Sequence, residues 1–599
     1  MKLHHTMLAA GLAPFIAIGV LADDPLRITD LAPEGAFMVI GADDIDATCK
    51  NFHATPLAGL METDAFRQVV MQPLEEGMEM MMLMLGEEMG DGGIDESDAL
   101  PRSLGLAVYT DLDEETGMTR AFVLGCAEWD ADGEGMERMM ETMMRERVDQ
   151  GDIRLDRREI RGREVMVVET IEKEMEFEDE FGGEFDAMMM LGDPSEMAPD
   201  LSTMFVVSDQ GRVVMANDLL AIDDALATID GDGRDGMSST KDWRNISDQL
   251  GDADAYLVLL TDPLQDLLAP MFMGPLGLVK PMIDETFGDI RGYGFAASVP
   301  EDASDVSMVL TASILAPGER NGLMSLITEE SAVGQAPPAL VGADATGYGR
   351  MNVDFKGMVP LFQKLAAAMP MGGEEIEMYL DQFGPMMEGA MATMGPAMHT
   401  VSTVSRPIGL GSASTTYIIP TSDPEKVQPL LSMFGPSMGL EPRDFAGETL
   451  WSSEVDGMAA AIAGNWLVLG SPRGVEQVVR GLGDKDGEDL GGSRGFRSAI
   501  SMLPDGEAVG WGWIDAVSQY AAQRESMDEM MDMLGGGGFD EFAPETGLGA
   551  GDMDVILDLA EQLTPEELEN HLGPLVWNFT TDDMGWTYRQ WFLAPAVKP

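Results

Sequence analysis

Apolar and polar positions alternate along this chain with two periods, and the points where one gives way to the other predict its elements. "TMFVVSDQGRVVMAN" and "GMAAAIAGNWLVLG" each carry two apolar runs around a glycine-containing turn, the pattern of a β-hairpin. The spacing then lengthens to that of a helix. Ser471 is placed as N-cap with Pro472 at the first helical position, and Val475, Val478, Val479 and Leu482 follow as one apolar stripe. Asp262-Pro263 and Asp423-Pro424 repeat that capping logic. Asp44, Asp262, Asp354 and Asp515 each stand where a strand runs into a helix, where a carboxylate satisfies free amides and favours the helix dipole. A row of functional carboxylates is the alternative reading.

Methionine fills several helical stripes. Met136, Met139, Met140, Met143 and Met144 fall on one face, as do Met78, Met81, Met82, Leu85 and Met89, extended back by Leu74, and Met527, Met530, Met531 and Leu534. Because leucine and methionine interchange on these stripes, the expected role is flexible core filling, with some methionine left on a binding surface. Copper(I) would need several thioethers converging on an accessible point. Met80 and Met84 lie off the main stripe, but His53, His399 and His571 stand apart from every methionine cluster. The polar faces of these helices are acidic, which argues against a membrane surface.

The elements recur in two sets. The stretch from Gly211 matches that from Gly464 at a register of 253, through Arg244/Arg497 and Leu250/Leu503 to Asp262/Asp515. Upstream, Arg158/Arg443, Gly162/Gly447 and Glu169/Glu454 agree at a register of 285, which leaves a 32-residue insertion in the first copy at about 170–201. Both copies begin with a strand running into a helix, "GAFMVIGADDIDATC" and "TGYGRMNVDFKGMV", and both close on a strand, "ILAP" at 314–317 and "FLAP" at 592–595. The expected fold is α+β: two tandem homologous modules, 31–317 and 337–597, joined by a linker at 318–336. Each is a largely antiparallel sheet with packed helices. The insertion alternates acids with phenylalanine and methionine, as flexible loops and partner-docking strips do. "GGGGFDEFAPETGLGAGD", from Gly535, reads as a similar loop.

Charge and leader narrow the setting. Residues 1–22 combine Lys2, an apolar stretch and small residues at Val20 and Ala22, the form of a secretory signal peptide. Export to the periplasm or beyond is the expectation. No later stretch reaches the roughly 18 to 20 apolar residues a span needs, so no membrane span is expected. A net charge of -70, from 106 acids against 36 bases, repels phosphate backbones and excludes a nucleic-acid partner. Cys49 and Cys126 admit one disulfide or two free thiols in an oxidising compartment.

The chemistry-bearing motifs are few. Asp230-x-Asp232-Gly233-x-Asp235 and Asp484-x-Asp486-Gly487-x-Asp489 occupy equivalent places and offer alternating carboxylates to a hard cation such as Ca²⁺. Neither fits the EF-hand register, and the alternative is a solvated connection after a helix. No other cofactor is implied. "GSPRG" lacks the order of a nucleophile elbow, no zinc spacing or phosphate-binding glycine loop occurs, and no histidine lies beside a candidate nucleophile. The many carboxylates would hide an acid pair of the glycosidase kind.

"APEGAFMVIGADDIDATCKNFHATPLAGLMETDAF" and "SDPEKVQPLLSMF", followed by "AIAGNWLVLGSPRGVEQVV" and "SRGFRSAISMLPDGEAVGWGWIDAV", resemble a family of uncharacterised exported bacterial proteins classed as a domain of unknown function. The resemblance implies a fold and carries no catalytic residues. The expected function is therefore a non-enzymatic binding or scaffold protein of the cell envelope, partnered by an envelope protein or a small ligand. A carrier with an apolar cleft between the modules, lined in part by Trp451, Trp466, Trp511 and Trp513, is the rival, beside a weak calcium-binding surface protein.

Overall fold

The computed structural model describes residues 27–63, 101–112, 119–129, 144–171, 199–265, 285–534 and 563–596, less short gaps at 146, 210, 234–235, 287, 303, 319, 329–331, 333–335, 370–372, 407, 409–411, 454–456, 484–487, 505 and 507. The expected leader, the expected methionine stripes at 74–89 and 136–143, nearly all of the expected insertion and the glycine-rich stretch from 535 lie outside the described residues. The side chains of 527–534 lie outside them too.

The first half supplies strands β1 (Ala36–Ala42), β2 (Ser103–Leu112), β3 (Thr119–Glu128), β4 (Ile153–Ile160), β5 (Arg163–Thr170), β6 (Thr203–Asp209), β7 (Arg212–Ala216), β8 (Ala255–Leu260), β9 (Gly292–Ser298) and β10 (Val306–Leu315). Their hydrogen-bonded order is β4-β5-β6-β7-β3-β2-β1-β8-β9-β10, antiparallel throughout. The second half supplies β11 (Gly347–Asn352), β12 (Ala397–Val404), β13 (Ala413–Pro420), β14 (Glu441–Phe445), β15 (Glu448–Ser452), β16 (Ala459–Ala463), β17 (Trp466–Gly470), β18 (Gly510–Ile514), β19 (Leu575–Asp582) and β20 (Gly585–Leu593). Here the order is β14-β15-β16-β17-β13-β12-β11-β18-β19-β20, the same sequence of neighbours. Even the turns correspond. Arg161-Gly162 and Ala446-Gly447 close β4–β5 and β14–β15 with two successive positive φ values, 50° and 76° against 55° and 88°, as a tight two-residue hairpin turn of the primed type requires.

The uniform register of 253 needs one correction. Asp209/Arg212 and Ala463/Trp466 close the β6–β7 and β16–β17 turns and lie 254 apart, whereas the helix-capping Asp218 and Ser471 that follow lie 253 apart. The connection after β17 is one residue shorter than the connection after β7. Strand pairing, which places alternate residues on opposite faces, fixes the first number, and the helix cap fixes the second.

β10 and β20 pair with each other, so one antiparallel sheet runs through both halves. At the middle of this seam Thr311 faces Arg589, 278 positions later, the spacing that also separates Ile314 from Phe592. Ile314 faces Trp586 and Met308 faces Phe592, so the contact is its own mirror under the 278 shift. On one face the seam is tied by Ser313, whose hydroxyl donates to Gln249 Oε1 (2.5 Å), and by Arg589, whose guanidinium donates to the Gln249 carbonyl (2.8 Å). That carbonyl stands at the end of a helix, where a cation is favoured by the dipole.

Helices α1 (Ile28–Leu31), α2 (Ile45–His53), α3 (Pro56–Met61), α4 (Leu219–Ile229) and α5 (Lys241–Leu250) belong to the first half. The second half adds α6 (Met358–Ala368), α7 (Gly373–Met391), α8 (Pro424–Phe434), α9 (Pro472–Gly483), α10 (Arg494–Ile500), α11 (Ala516–Leu534) and α12 (Pro565–His571). The architecture is α+β. α4 and α5 bury Ile222, Leu226, Trp243 and Ile246 against Val39, Leu124 and Val258, and α9 and α10 bury Val475, Val478 and Phe496 against Val401, Ile418 and Val468. The predicted caps form at Asp44, Asp354, Asp515 and Ser471, each accepting a backbone N–H. Asp423 makes no side-chain cap bond, and Asp262 lies within a helical turn that starts at Thr261.

Described parts of the segment 318–336 pack against the second half. Gly322–Leu326 forms a 3₁₀ turn, and Ala332 is fully buried in the second core, with its N–H on the Ala508 carbonyl and its own carbonyl taking the indole N–H of Trp511 (2.8 Å). An unpaired backbone in that position would be costly, which ties the segment to β18. The two cysteines are free thiols, Cys49 half-buried and Cys126 buried in the first core. The halves also meet through α3 and α12, where Leu60 packs near Leu563 and Leu568 and His571 Nδ1–H donates to the Pro56 carbonyl (3.0 Å).

Candidate apolar binding trough

On the face of the first half's sheet turned away from α4 and α5, side chains line up across strands in register. One row runs Leu104, Ala42, Ala255, Ala297, Leu310 over β2, β1, β8, β9 and β10. The next runs Leu106, Ile40, Leu257, Phe295. Three consecutive alanines therefore make a low floor beside a wall of large apolar groups, with a leucine at either end. Two interstrand steps of about 4.8 Å give the alanine floor a length of about 10 Å, and about 19 Å separates the two leucines. The groove has a volume of about 370 Å³ and is lined by these residues together with Gly41, Tyr256 and Ala296. Phe295 is 48% exposed and Leu310 36%, values that stand out for large apolar side chains on a central part of a sheet.

β8, "AYLVLL", is apolar on both faces, and that continuity is what leaves apolar surface on the far side once α5 has covered the near one. Close to the groove, burial raises the Asp43 carboxyl above its ordinary range, opposed by Arg27 at 3.1 Å and by the Tyr256 hydroxyl at 3.4 Å.

The mirrored seam puts Trp577 in the second half where Phe295 stands in the first, since Phe295 and Trp577 flank β10 and β20 at matching pairs. There the row beside it is Gly512 and Gly349, in place of Leu257 and Ile40, and the Trp577 ring lies over both; a Cβ at Gly349 would come 2.9 Å from it. The row that answers to the alanine floor runs Phe579, Gly510 and Met351, so the second half has no matching alanine floor.

The residues singled out from sequence are dispersed. Trp511 and Trp513 are buried in the second core, Trp466 packs edge-on to His399 at 5.9 Å, and Trp451 lies against Gly435, so the four do not line a common cleft. The seam where such a cleft was expected is a strand ladder. Of the acidic loops, Asp230 receives two hydrogen bonds from Arg163 (2.8 and 3.0 Å), which hold its carboxyl below the usual range, and Asp489 caps a 3₁₀ turn through Gly492 N–H. Asp232 is exposed, and Asp235, Asp484 and Asp486 lie outside the described residues. Among the described residues no three His, Cys, Asp or Glu side chains gather as metal ligands. Among them, too, no helix is long and apolar enough to cross a membrane. Methionines that are described divide between core positions, such as the fully buried Met237, and exposed ones, such as Met378 at 63%.

A buried polar group marks the second core. Tyr348 and His399 are joined at 2.8 Å between the phenol oxygen and Nδ1. Burial, then the nearby Arg350, pushes the His399 pKa down to about 4, and burial pushes the tyrosine up. The hydroxyl therefore donates to a neutral imidazole.

No family model matches the chain, and no curated protein matches it. Among solved structures it is similar to a chain titled "Structure of crystal form I of TP0453", at 12% identity over 45% of this chain and 82% of that one, with a TM-score of 0.23.

Proposed function

We propose that this is an exported, non-enzymatic binding protein of the cell envelope, built by duplication of one α+β module, and that its ligand is a linear apolar chain lying in the alanine-floored trough. The observation that carries the reading is the trough itself: about 370 Å³, floored by alanine and bordered by large apolar side chains on the sheet face away from α4 and α5. The shared strand order, the paired hairpin turns and the mirror symmetry of the seam support the duplication. A neutral or weakly polar ligand suits a chain of net charge -70 better than an anionic one. The test is titration with the neutral fluorophore N-phenyl-1-naphthylamine. Saturable binding is expected in the wild type, and Ala297→Trp, which fills the floor, should weaken it at least tenfold with little change in melting temperature. Equal binding by both proteins would reject the trough as the site.

A scaffold role is favoured by a separate patch, in which Phe362 of α6 and Ile376 and Tyr379 of α7 are exposed among acidic neighbours. Under that reading Tyr379→Glu abolishes co-purification of an envelope protein from native material, and an unchanged set of co-purifying proteins would dismiss it.

A further inference from the structure

Arg350 is 6% exposed, and among the described residues no carboxylate pairs with it. Its one polar contact there is a long hydrogen bond from Nη2 to Asn352 Oδ1 (3.4 Å), and Nε has no partner. Other inward-turned arginines are provided for: Arg163 by Asp209 and Asp230, Arg212 by Glu128, and Arg589 by the Gln249 carbonyl. Arg350 cannot escape by losing its proton, because a guanidinium stays charged even when burial lowers its pKa. Its neighbours supply no negative charge, since His399 is neutral and Tyr348 protonated. A buried charge left without a partner is strongly destabilising.

Two further observations lie on the same face. Trp513, on β18 beside β11, has an indole N–H that is buried without an acceptor, and Asn578, across Trp511 from Arg350, has an amide oxygen without a partner. The Trp513 indole N–H is thus a second unanswered donor on the sheet face that carries Arg350, in a chain otherwise short of cations. We propose that the second core holds a small inorganic anion, of the chloride class, against the Nε edge of Arg350. The ion supplies the missing charge and is a structural part of the folded protein.

The test uses the full chain. Melting is followed at constant ionic strength while sodium gluconate is exchanged for sodium chloride or bromide, so that screening of the acidic surface is the same throughout. Halide is expected to raise the melting temperature saturably, with the unfolding constant changing tenfold per decade of halide above the dissociation constant. Arg350→Met should remove that dependence. Bromide-soaked crystals should show an anomalous peak within hydrogen-bonding distance of the guanidinium, a result that stands even if the variant fails to fold. A wild type indifferent to halide, a variant that responds as the wild type does, or bromide only at surface positions, an adventitious ion only, would each overturn the proposal.

Discussion

Gly585→Ala is expected to cost the folded protein about 3 kcal/mol. Gly585 opens β20 opposite Leu315 with φ at +146°, a value L side chains rarely adopt, and an added Cβ would strike the Ile314 carbonyl oxygen across the seam. The Cβ is fixed to its own Cα and the oxygen belongs to the facing backbone, so relief requires one strand to move away from the other, and the ladder that joins the halves loosens from that end. Gly447→Ala separates the two causes. Its φ is +88° with nothing within 4 Å of the new Cβ, so it bears the conformational penalty alone, about 1 kcal/mol. Denaturant unfolding of both variants checks the difference; a Gly585→Ala chain no less stable than Gly447→Ala would mean that the seam yields freely.

The second large effect is a pH dependence carried by His399. Its folded pKa of about 4 lies below the ordinary 6.5 because the ring is buried among apolar neighbours and near Arg350. Between those values the unfolded chain binds a proton that the folded chain does not, so stability rises with pH through this window and is lost as pH falls from about 6.5 toward 4. The shift corresponds to about 3 kcal/mol over the whole interval. The 106 acids titrate nearby, which is why the measurement is a difference. His399→Gln keeps an acceptor for the Tyr348 hydroxyl but has nothing to protonate. The stability gap between wild type and variant should narrow by about 3 kcal/mol between pH 7 and pH 4; a constant gap would show that His399 does not titrate as described.

Hairpins, caps and helical stripes were legible in the sequence because each is set by neighbours within a few residues. The β6–β7 and β16–β17 hairpins, the Asp44 cap and the Val475 stripe all declare themselves locally. The order of strands was not legible, since β3 pairs with β7 and β1 with β8 across long intervening stretches, and no local pattern names a distant partner. The trough escaped for a related reason. Ala42, Ala255 and Ala297 are unremarkable one at a time and become a floor only when three separate strands bring them into register. The one advance signal was β8, whose unbroken apolar run implied surface to cover on both sides. The tryptophans misled because size and apolarity suit a core as well as a cleft, and Trp511 gains its hydrogen-bond acceptor from Ala332, in a segment that read as a joint.

The β10–β20 contact also bears on dilution. Two separate polypeptides meeting along such a ladder would part as their concentration fell, by mass action. Here both strands sit on one thread, so the encounter is intramolecular, its effective concentration is set by the intervening chain, and the twenty-stranded sheet holds together however thinly the protein is spread.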